Sequence, residues 1–159
     1  MKEFSLLGFV EFLGNLPAAV EAQTHEMLEL AARVVEREAK DSIGEYHGAA
    51  GPFAAWAELA DATKADRVAK GYSENEPLLR EGDLRDSIEH TVVGNEAHIG
   101  SNSDIAVYQE LGTSRIPPRS FLGGAAVRKE REVVELIGSS VMRTLSGGGV
   151  ALPIPRSGE

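Results

Sequence analysis

The residues in this chain best suited to binding are two arginines and two adjacent prolines that follow a glycine. Gly112 can take a positive φ where a helical turn ends, and residues 113–120 continue from it. The prolines fix φ and lack an N–H donor, so this stretch cannot be a central strand of a sheet. It contains no nucleophile–base pair and no set of metal ligands. We therefore predict a stiff surface loop whose arginines bind carboxylates of another protein.

We predict that this loop and the segments beside it form the contacts with other protein molecules. The predicted interface residues are Trp56, Tyr108, Glu110, Gly112, Thr113, Ser114, Arg115, Pro117, Pro118, Arg119, Phe121, Leu152 and Ile154. Trp56 has two interpretations, as the anchor of a subunit interface or as a core residue over the sheet. Leu152 and Ile154 lie in a proline-containing tail that either pairs with the edge of a neighbouring copy or frays.

Catalytic and metal-binding patterns are weak by comparison. Glu110, beside the loop, is the best single candidate for a catalytic acid, and its alternative role is an ion pair with Arg115 or Arg119. His90 and His98 could face each other across a hairpin, but no third ligand follows at a useful spacing. The chain has no phosphate-binding glycine pattern, no Walker lysine and no nucleophile elbow. We expect no catalysis, no cofactor and no metal.

Composition limits the functions further. The 159 residues suit one domain, and the absence of cysteine excludes disulfides and thiolate metal sites. The sequence shows no transmembrane segment and no signal-peptide pattern. With 25 acidic and 16 basic residues, the net charge is −9, which argues against tight binding to DNA phosphates. The acidity either keeps the chain soluble or lines a channel through which DNA slides.

The elements that position the loop can be predicted from hydrophobic spacing. Residues 1–14 suit a strand with a turn of helix or a short buried helix, and Gly14 with Asn15 breaks the run. A long helix follows over 16–43, with Pro17 in its first turn and Gly44 after its end. Its predicted buried stripe consists of Val20, Met27, Ala31, Val35, Ala39 and Ile43.

The rest of the chain alternates loops with short elements before a second long helix. We predict a flexible loop over 44–56, a short helix over 59–70, a capped turn over 83–88 and a hairpin over 88–100. The second long helix covers 121–145, and residues 147–159 form an extended C-terminal arm. The predicted buried stripe of this second long helix consists of Leu122, Ala126, Val133 or Val134, Ile137, Val141 and Leu145. The class is α+β: a small antiparallel sheet on two long helices, with extended terminal arms.

Three blocks of this sequence resemble one family. They read YQELGTSRIPPRSFL (108–122), PLLREGDLRDSI (77–88) and WAELADAT (56–63). In this order they are similar to the neck, or virion-morphogenesis, proteins of long-tailed bacteriophages. Leu111 stands where that family usually has an aromatic residue, and Ser120 where it often has proline.

The resemblance implies a structural protein of the virion, assembled in the bacterial host cytoplasm. Such a subunit forms a cyclic homo-oligomer of six or twelve copies in the neck, where it completes the tail and joins the DNA-filled head to it. Its partners are then other copies, the head-completion or connector proteins and the tail-terminator or tail-tube proteins. DNA passes through the channel without specific binding, and no membrane is involved. Two other function classes remain open, a small enzyme using acidic residues and a monomeric cytoplasmic binding module.

Overall fold

A computed structural model describes the backbone of residues 6–145 and the side chains of residues 20–142. In chain order the elements are α1 (Leu6–Asp41), α2 (Asp61–Ala69), α3 (Asp83–Asp86), β1 (Ile88–Val93), β2 (Glu96–Ser101), α4 (Asp104–Leu111) and α5 (Phe121–Leu145). The two strands form an antiparallel hairpin that packs on α1, and α1 packs along α5. The predicted α+β class is confirmed.

The first helix is longer than the sequence patterns predicted. Helix α1 has 36 residues, a length of about 54 Å, and it runs through Gly14 and Asn15 without a break. Glycine and asparagine each cost a helix interior only about 1 kcal/mol or less, so the helix-forming residues on both sides can carry it through. Pro17 lies inside the helix and not in its first turn. Gly44 does follow its end, at a φ of +111°.

The buried side of α1 agrees with the predicted stripe over most of its length. Met27, Ala31, Ala39 and Ile43 are all buried. Val20 is 42% exposed, so the first position of the predicted stripe is wrong.

The buried face of α5 differs from the predicted stripe. Phe121, Ala125 and Ser140 are buried, whereas Val134 and Val141 are exposed. Leu122, Val133 and Ile137 of the predicted stripe are half-buried, so the stripe is right in part, and the most buried positions lie beside it. Phe121, which the predicted stripe did not include, is fully buried at the start of this face.

The hairpin forms where it was predicted, and exposure alternates along β1. Ile88 pairs with Ser101 and Val93 with Glu96, so two residues form the turn, and Gly94 takes a φ of +59° there. Ile88 is fully buried, whereas Val93 is exposed. The expectation that two histidines face each other is wrong: Thr91 is the partner of His98, which places His90 and His98 on opposite faces.

His90 fastens the hairpin to α1. Its Nδ1 donates to Glu36, and its Nε2 lies 3.1 Å from Glu29 Oε2. Burial disfavours the charged imidazole, but the hydrogen bonds to Glu36 and Glu29 outweigh it and raise the pKa of His90. Burial likewise opposes the charge of Glu36, yet hydrogen bonds from Lys40 and His90 lower the pKa of that carboxyl. The contact is thus a charged cluster between sheet and helix.

The predicted loop over 44–56 lies against α5. Ala50 and Phe53 bond to each other through both backbone N–H groups at 3.0 Å, and the Phe53 ring covers Gly123. A Cβ atom at Gly123 would lie 2.3 Å from that ring. Mobility of this loop before assembly stays a prediction.

The core joins the parts of the fold that position the site. Its buried members are Ala39, Ile43, Trp56, Leu84, Ile88, Ala106, Phe121 and Ala125. Helix α2 is shorter than predicted, and Gly71 follows it at a φ of +79°. The predicted capped turn is helix α3, but no side chain caps it, because Gly82 occupies the N-cap position at a φ of +98°; its Leu84 enters the core.

Candidate interaction surface

The loop over residues 112–120 is held closed by its own hydrogen bonds. Thr113 donates its N–H to the Ile116 carbonyl at 2.8 Å, and its Oγ1 accepts the N–H groups of Arg115 and Ile116 at 3.2 and 3.1 Å. Gly112 has the predicted positive φ, +73°. A Cβ atom there would lie 2.9 Å from the Ile116 carbonyl oxygen and from the second proline ring. The loop is therefore preorganised, and only glycine fits where it begins.

Glu110 fixes the loop to the start of α5. Its Oε2 accepts the N–H of Leu122 and its Oε1 accepts the N–H of Gly123, both at 2.9 Å. The first N–H groups of a helix have no partner inside the helix, and they carry its positive dipole end. Within the described residues Glu110 makes no ion pair, so the predicted pairing with Arg115 or Arg119 is wrong. The carboxylate caps a helix that begins eleven residues further along the chain.

Arg119 holds the other end of the loop. The side chain is buried, and its Nη2 donates to the carbonyls of Ala57 and Glu58 at 2.8 and 3.2 Å. The backbone N–H of Arg119 donates to the Gln109 carbonyl at 2.7 Å. Burial lowers the pKa of Arg119 below its ordinary value. We predicted that both arginines of the loop bind carboxylates of another protein, but the guanidinium of Arg119 binds the chain's own backbone. Arg115 is the exposed arginine of the loop.

Helix α4, which leads into the loop, has an apolar face in solvent. Ile105, Tyr108 and Leu111 are 57%, 51% and 73% exposed. Their spacing of three places them on one side of the helix, and the buried residue of this helix is Ala106. The hydrophobic pattern of this segment therefore does not face the core. With the loop it forms a contiguous surface that we call the α4–loop face (residues 105–117).

The remaining predicted interface residues divide into three groups. Trp56 and Phe121 are buried in the core, which supports the core interpretation of the tryptophan. The residues exposed on the loop are Thr113, Ser114, Pro117 and Pro118. Leu152 and Ile154 lie outside the described residues.

A cleft of about 640 Å³ opens beside the loop, between α2, residues 78–84 and α4. Four arginines line it, Arg67, Arg80, Arg115 and Arg119, so we call it the arginine cleft. Arg80 pairs with Asp66 at 3.0 Å, outside the cleft lining. Within the described residues, Arg67, Arg115 and Arg119 form no ion pair with any carboxylate. The same lining includes the carboxylates of Glu58, Glu81 and Asp83, so the cleft carries charges of both signs.

Sequence reasoning missed the role of Arg67. It lies in α2, where an arginine is ordinarily solvated, yet it is buried and donates to the Ser73 carbonyl at 2.7 Å and to the Leu79 carbonyl. No pattern in a single sequence separates such an arginine from a surface one. The following segment offers one clue, because Ser73 to Leu79 has few apolar residues and needs internal donors for its carbonyls.

Among the described side chains, no group of three or more His, Asp or Glu residues is arranged to hold a metal ion. Over the same part of the chain, none of the helices combines the length and apolar character needed to cross a bilayer. This surface combines a preorganised loop, an exposed apolar helix face and a charged cleft.

Comparison with known proteins gives one match. The phage virion morphogenesis family matches residues 8–142, which run from most of α1 through most of α5 and include the whole α4–loop face. No curated protein and no solved structure matches the chain.

Proposed function

This chain belongs to the phage virion morphogenesis family, and we propose that it forms a ring in the neck of the particle, where it joins the DNA-filled head to the tail. Family membership indicates a structural protein of the virion. The ring, its six or twelve copies and its place in the neck are our proposal. The work of such a subunit is binding, not catalysis.

The observation that carries the proposal is the exposed apolar side of α4 beside a closed loop. Ile105, Tyr108 and Leu111 would be costly to leave in water in a free chain, since burial of one such side chain contributes about 1.5–3 kcal/mol. A contiguous apolar surface of this kind typically marks a contact with another protein. Because the loop is held by its own hydrogen bonds, little conformational entropy is lost when it binds.

We propose that the α4–loop face binds the next component along the neck axis, either a head-completion or connector protein or a tail-terminator or tail-tube protein. The acidic chain suits a ring around DNA, because a surface of net charge −9 repels the duplex and permits its passage without specific binding. Residues 147–159 would add a contact to a neighbouring copy.

The alternative of an acid-dependent enzyme loses its main candidate residue. Both carboxylate oxygens of Glu110 accept backbone N–H groups of α5, so the side chain serves the fold.

The test is to purify particles from the source of this chain and identify their proteins by mass spectrometry, with particles lacking the gene viewed by negative stain. The proposal expects the chain in complete particles, and separated heads and tails without it. Intact particles that lack the chain would refute a role in joining head to tail. A triple variant with serine at positions 105, 108 and 111 should also give separated heads and tails while remaining folded.

A further inference from the structure

We propose that neighbouring copies of this chain join through their hairpins, with the outer edge of β1 in one copy pairing with the outer edge of β2 in the next. The pairing is antiparallel and consists of backbone hydrogen bonds. This inference rests on the proposed ring and names the contact between its subunits. A closed ring needs such a contact, because two different surfaces of the same chain must meet head to tail.

The first observation is that both edges of the hairpin keep unused backbone groups. The two-residue turn fixes which pairs are hydrogen-bonded, and these pairs alternate along the ladder. The N–H and C=O groups of the residues between them point outward, and these residues are His90 and Val92 on β1 and Ala97 and Ile99 on β2. Among the described residues, none of these groups forms a backbone hydrogen bond elsewhere. The described sheet has two strands, so no third strand covers either edge.

The second observation is that neither strand carries the usual protection against edge pairing. Exposed edges are ordinarily blocked by proline, by lysine or by a bulge. β1 and β2 contain no proline and no lysine, and their residues pair along the whole length without a bulge. The carboxylates of Glu89 and Glu96 lie on the exposed face opposite His90, which edge pairing leaves open. A sheet of two strands is also marginal, and further strands stabilise it.

The third observation is that the two edges of one hairpin complement each other. β1 and β2 run in opposite directions, so a second copy in the same orientation places its β1 antiparallel to β2 of the first. The outward groups of both edges belong to residues on the α1 side, so the joined sheets keep α1 of every copy on one face. The C-terminal arm fits these edges less well, because Pro153 and Pro155 lack an N–H donor.

Edge pairing also selects between the two proposed copy numbers. Each copy contributes two strands, so six copies close a barrel of 12 strands and twelve copies a barrel of 24. A barrel of about 16–18 strands encloses only an aqueous channel, so a DNA duplex requires the larger ring. Because α1 covers the other face of the sheet, Glu89 and Glu96 would line the channel and repel the phosphates. We expect a ring of twelve copies.

The test uses single cysteines, because the chain has none of its own. Thr91→Cys lies on β1 and His98→Cys on β2, both at exposed positions. Between copies these positions fall in pairs without hydrogen bonds, where side chains lie closest. Two chains that carry one cysteine each are coexpressed, oxidised and separated by non-reducing electrophoresis. Cysteines at positions 89 and 93 are tested in the same way against positions 96 and 100, which covers the neighbouring registers.

We expect a disulfide-linked pair when the β1 and β2 variants are combined, and none in either variant alone. Like positions of neighbouring copies are two strand spacings apart, roughly 10 Å, which a disulfide cannot span. The matched control replaces the β1 variant by Ser139→Cys, at an exposed position on α5, and should give no linked pair with His98→Cys.

A second measurement is sedimentation velocity of Val92→Pro across protein concentration. The proline removes an outward N–H but no hydrogen bond of the hairpin itself, so the circular dichroism should stay unchanged. Self-association should weaken at least about tenfold, because each ring contact loses a donor and meets the proline ring. A folded Val92→Pro variant that associates like the parent would contradict the proposed contact.

Rings that form without a linked pair in any combination would overturn edge pairing. Dimers of Thr91→Cys alone, a ring of six copies, or Leu152→Cys linking to Thr91→Cys in place of the β2 variant would overturn it as well. So would a parent chain that stays monomeric at the highest concentration. The presence of the chain in particles decides the neck role separately, because a neck ring can also be held by other surfaces.

Discussion

Removal of the Glu110 carboxylate should destabilise the chain more than any single change on the solvent side of α5. The carboxylate accepts two N–H groups at 2.9 Å each, and a hydrogen bond to a charged group contributes about 1.5–3 kcal/mol. Glu110 is only partly buried, so water replaces some of the lost contact. We therefore expect Glu110→Ala to lower the free energy of unfolding by about 2–4 kcal/mol, and Glu110→Gln, which keeps one acceptor, by about 1–2 kcal/mol.

The assay is urea unfolding followed by circular dichroism at 222 nm, with the slope of free energy against urea compared between variants. For a chain of this length the alanine variant should lose roughly 5–15 °C in Tm. Glu130→Ala is the control, since it removes an exposed glutamate of α5 that is in no ion pair among the described residues; it should change stability by less than about 0.5 kcal/mol. An alanine variant at position 110 as stable as this control would refute the capping argument.

Further predictions concern the glycines, the histidine cluster and the exposed helix face. Gly112→Ala should cost at least about 2 kcal/mol in urea unfolding, because φ is positive and backbone atoms lie 2.9 Å from the new Cβ; an unchanged midpoint would contradict this. Gly123→Ala should cost about 1–3 kcal/mol, because the new Cβ clashes with the Phe53 ring. In a chain that already carries Phe53→Ala most of this cost should disappear, which a double-mutant cycle measures. The folded-state pKa of His90 is raised, so its contribution is fully present below the unfolded value near 6.5 and is lost as pH rises through the folded pKa; His90→Gln should abolish that pH dependence of Tm, and a parent equally stable on both sides of the transition would count against it. Leu111→Ser should leave Tm within about 1 °C, because the side chain is 73% exposed, yet reduce the yield of joined particles.

Local patterns predicted the elements better than their orientation. The hairpin could be placed because two strand-like segments flank a Gly-Asn turn, although the sequence specified the register only in part; in the structure Ile88 is buried. Helix α5 could be placed but not rotated, because a sequence with apolar residues at neighbouring positions suits more than one buried face. The face of α5 that is buried carries Phe121 and packs against Phe53, whose ring leaves room only for a glycine at position 123. That contact joins residues far apart in the chain and leaves no local signal.

The candidate site was predictable as a loop but not as a set of contacts. Gly112 and the prolines indicated a stiff turn, and the structure shows one. The roles of its charged residues could not be derived, because a carboxylate or a guanidinium binds backbone groups as readily as it binds a side chain of opposite charge. Glu110 and Arg119, predicted to bind oppositely charged side chains, both bind the peptide backbone instead. The arginine cleft depends on Arg67 in α2, whose burial is decided by the segment that follows it.

The position of the single tryptophan gives the chain an internal optical reporter. Trp56 is 7% exposed, its indole meets the His47 ring edge-on at 4.9 Å, and the next residue, Ala57, supplies the carbonyl that Arg119 binds. Its fluorescence therefore comes from one buried place, adjacent to the anchor of the loop. Changes in emission wavelength or lifetime when a partner binds would report movement of that anchor without any added dye, and the absence of cysteine leaves every position free for a second, thiol-linked label.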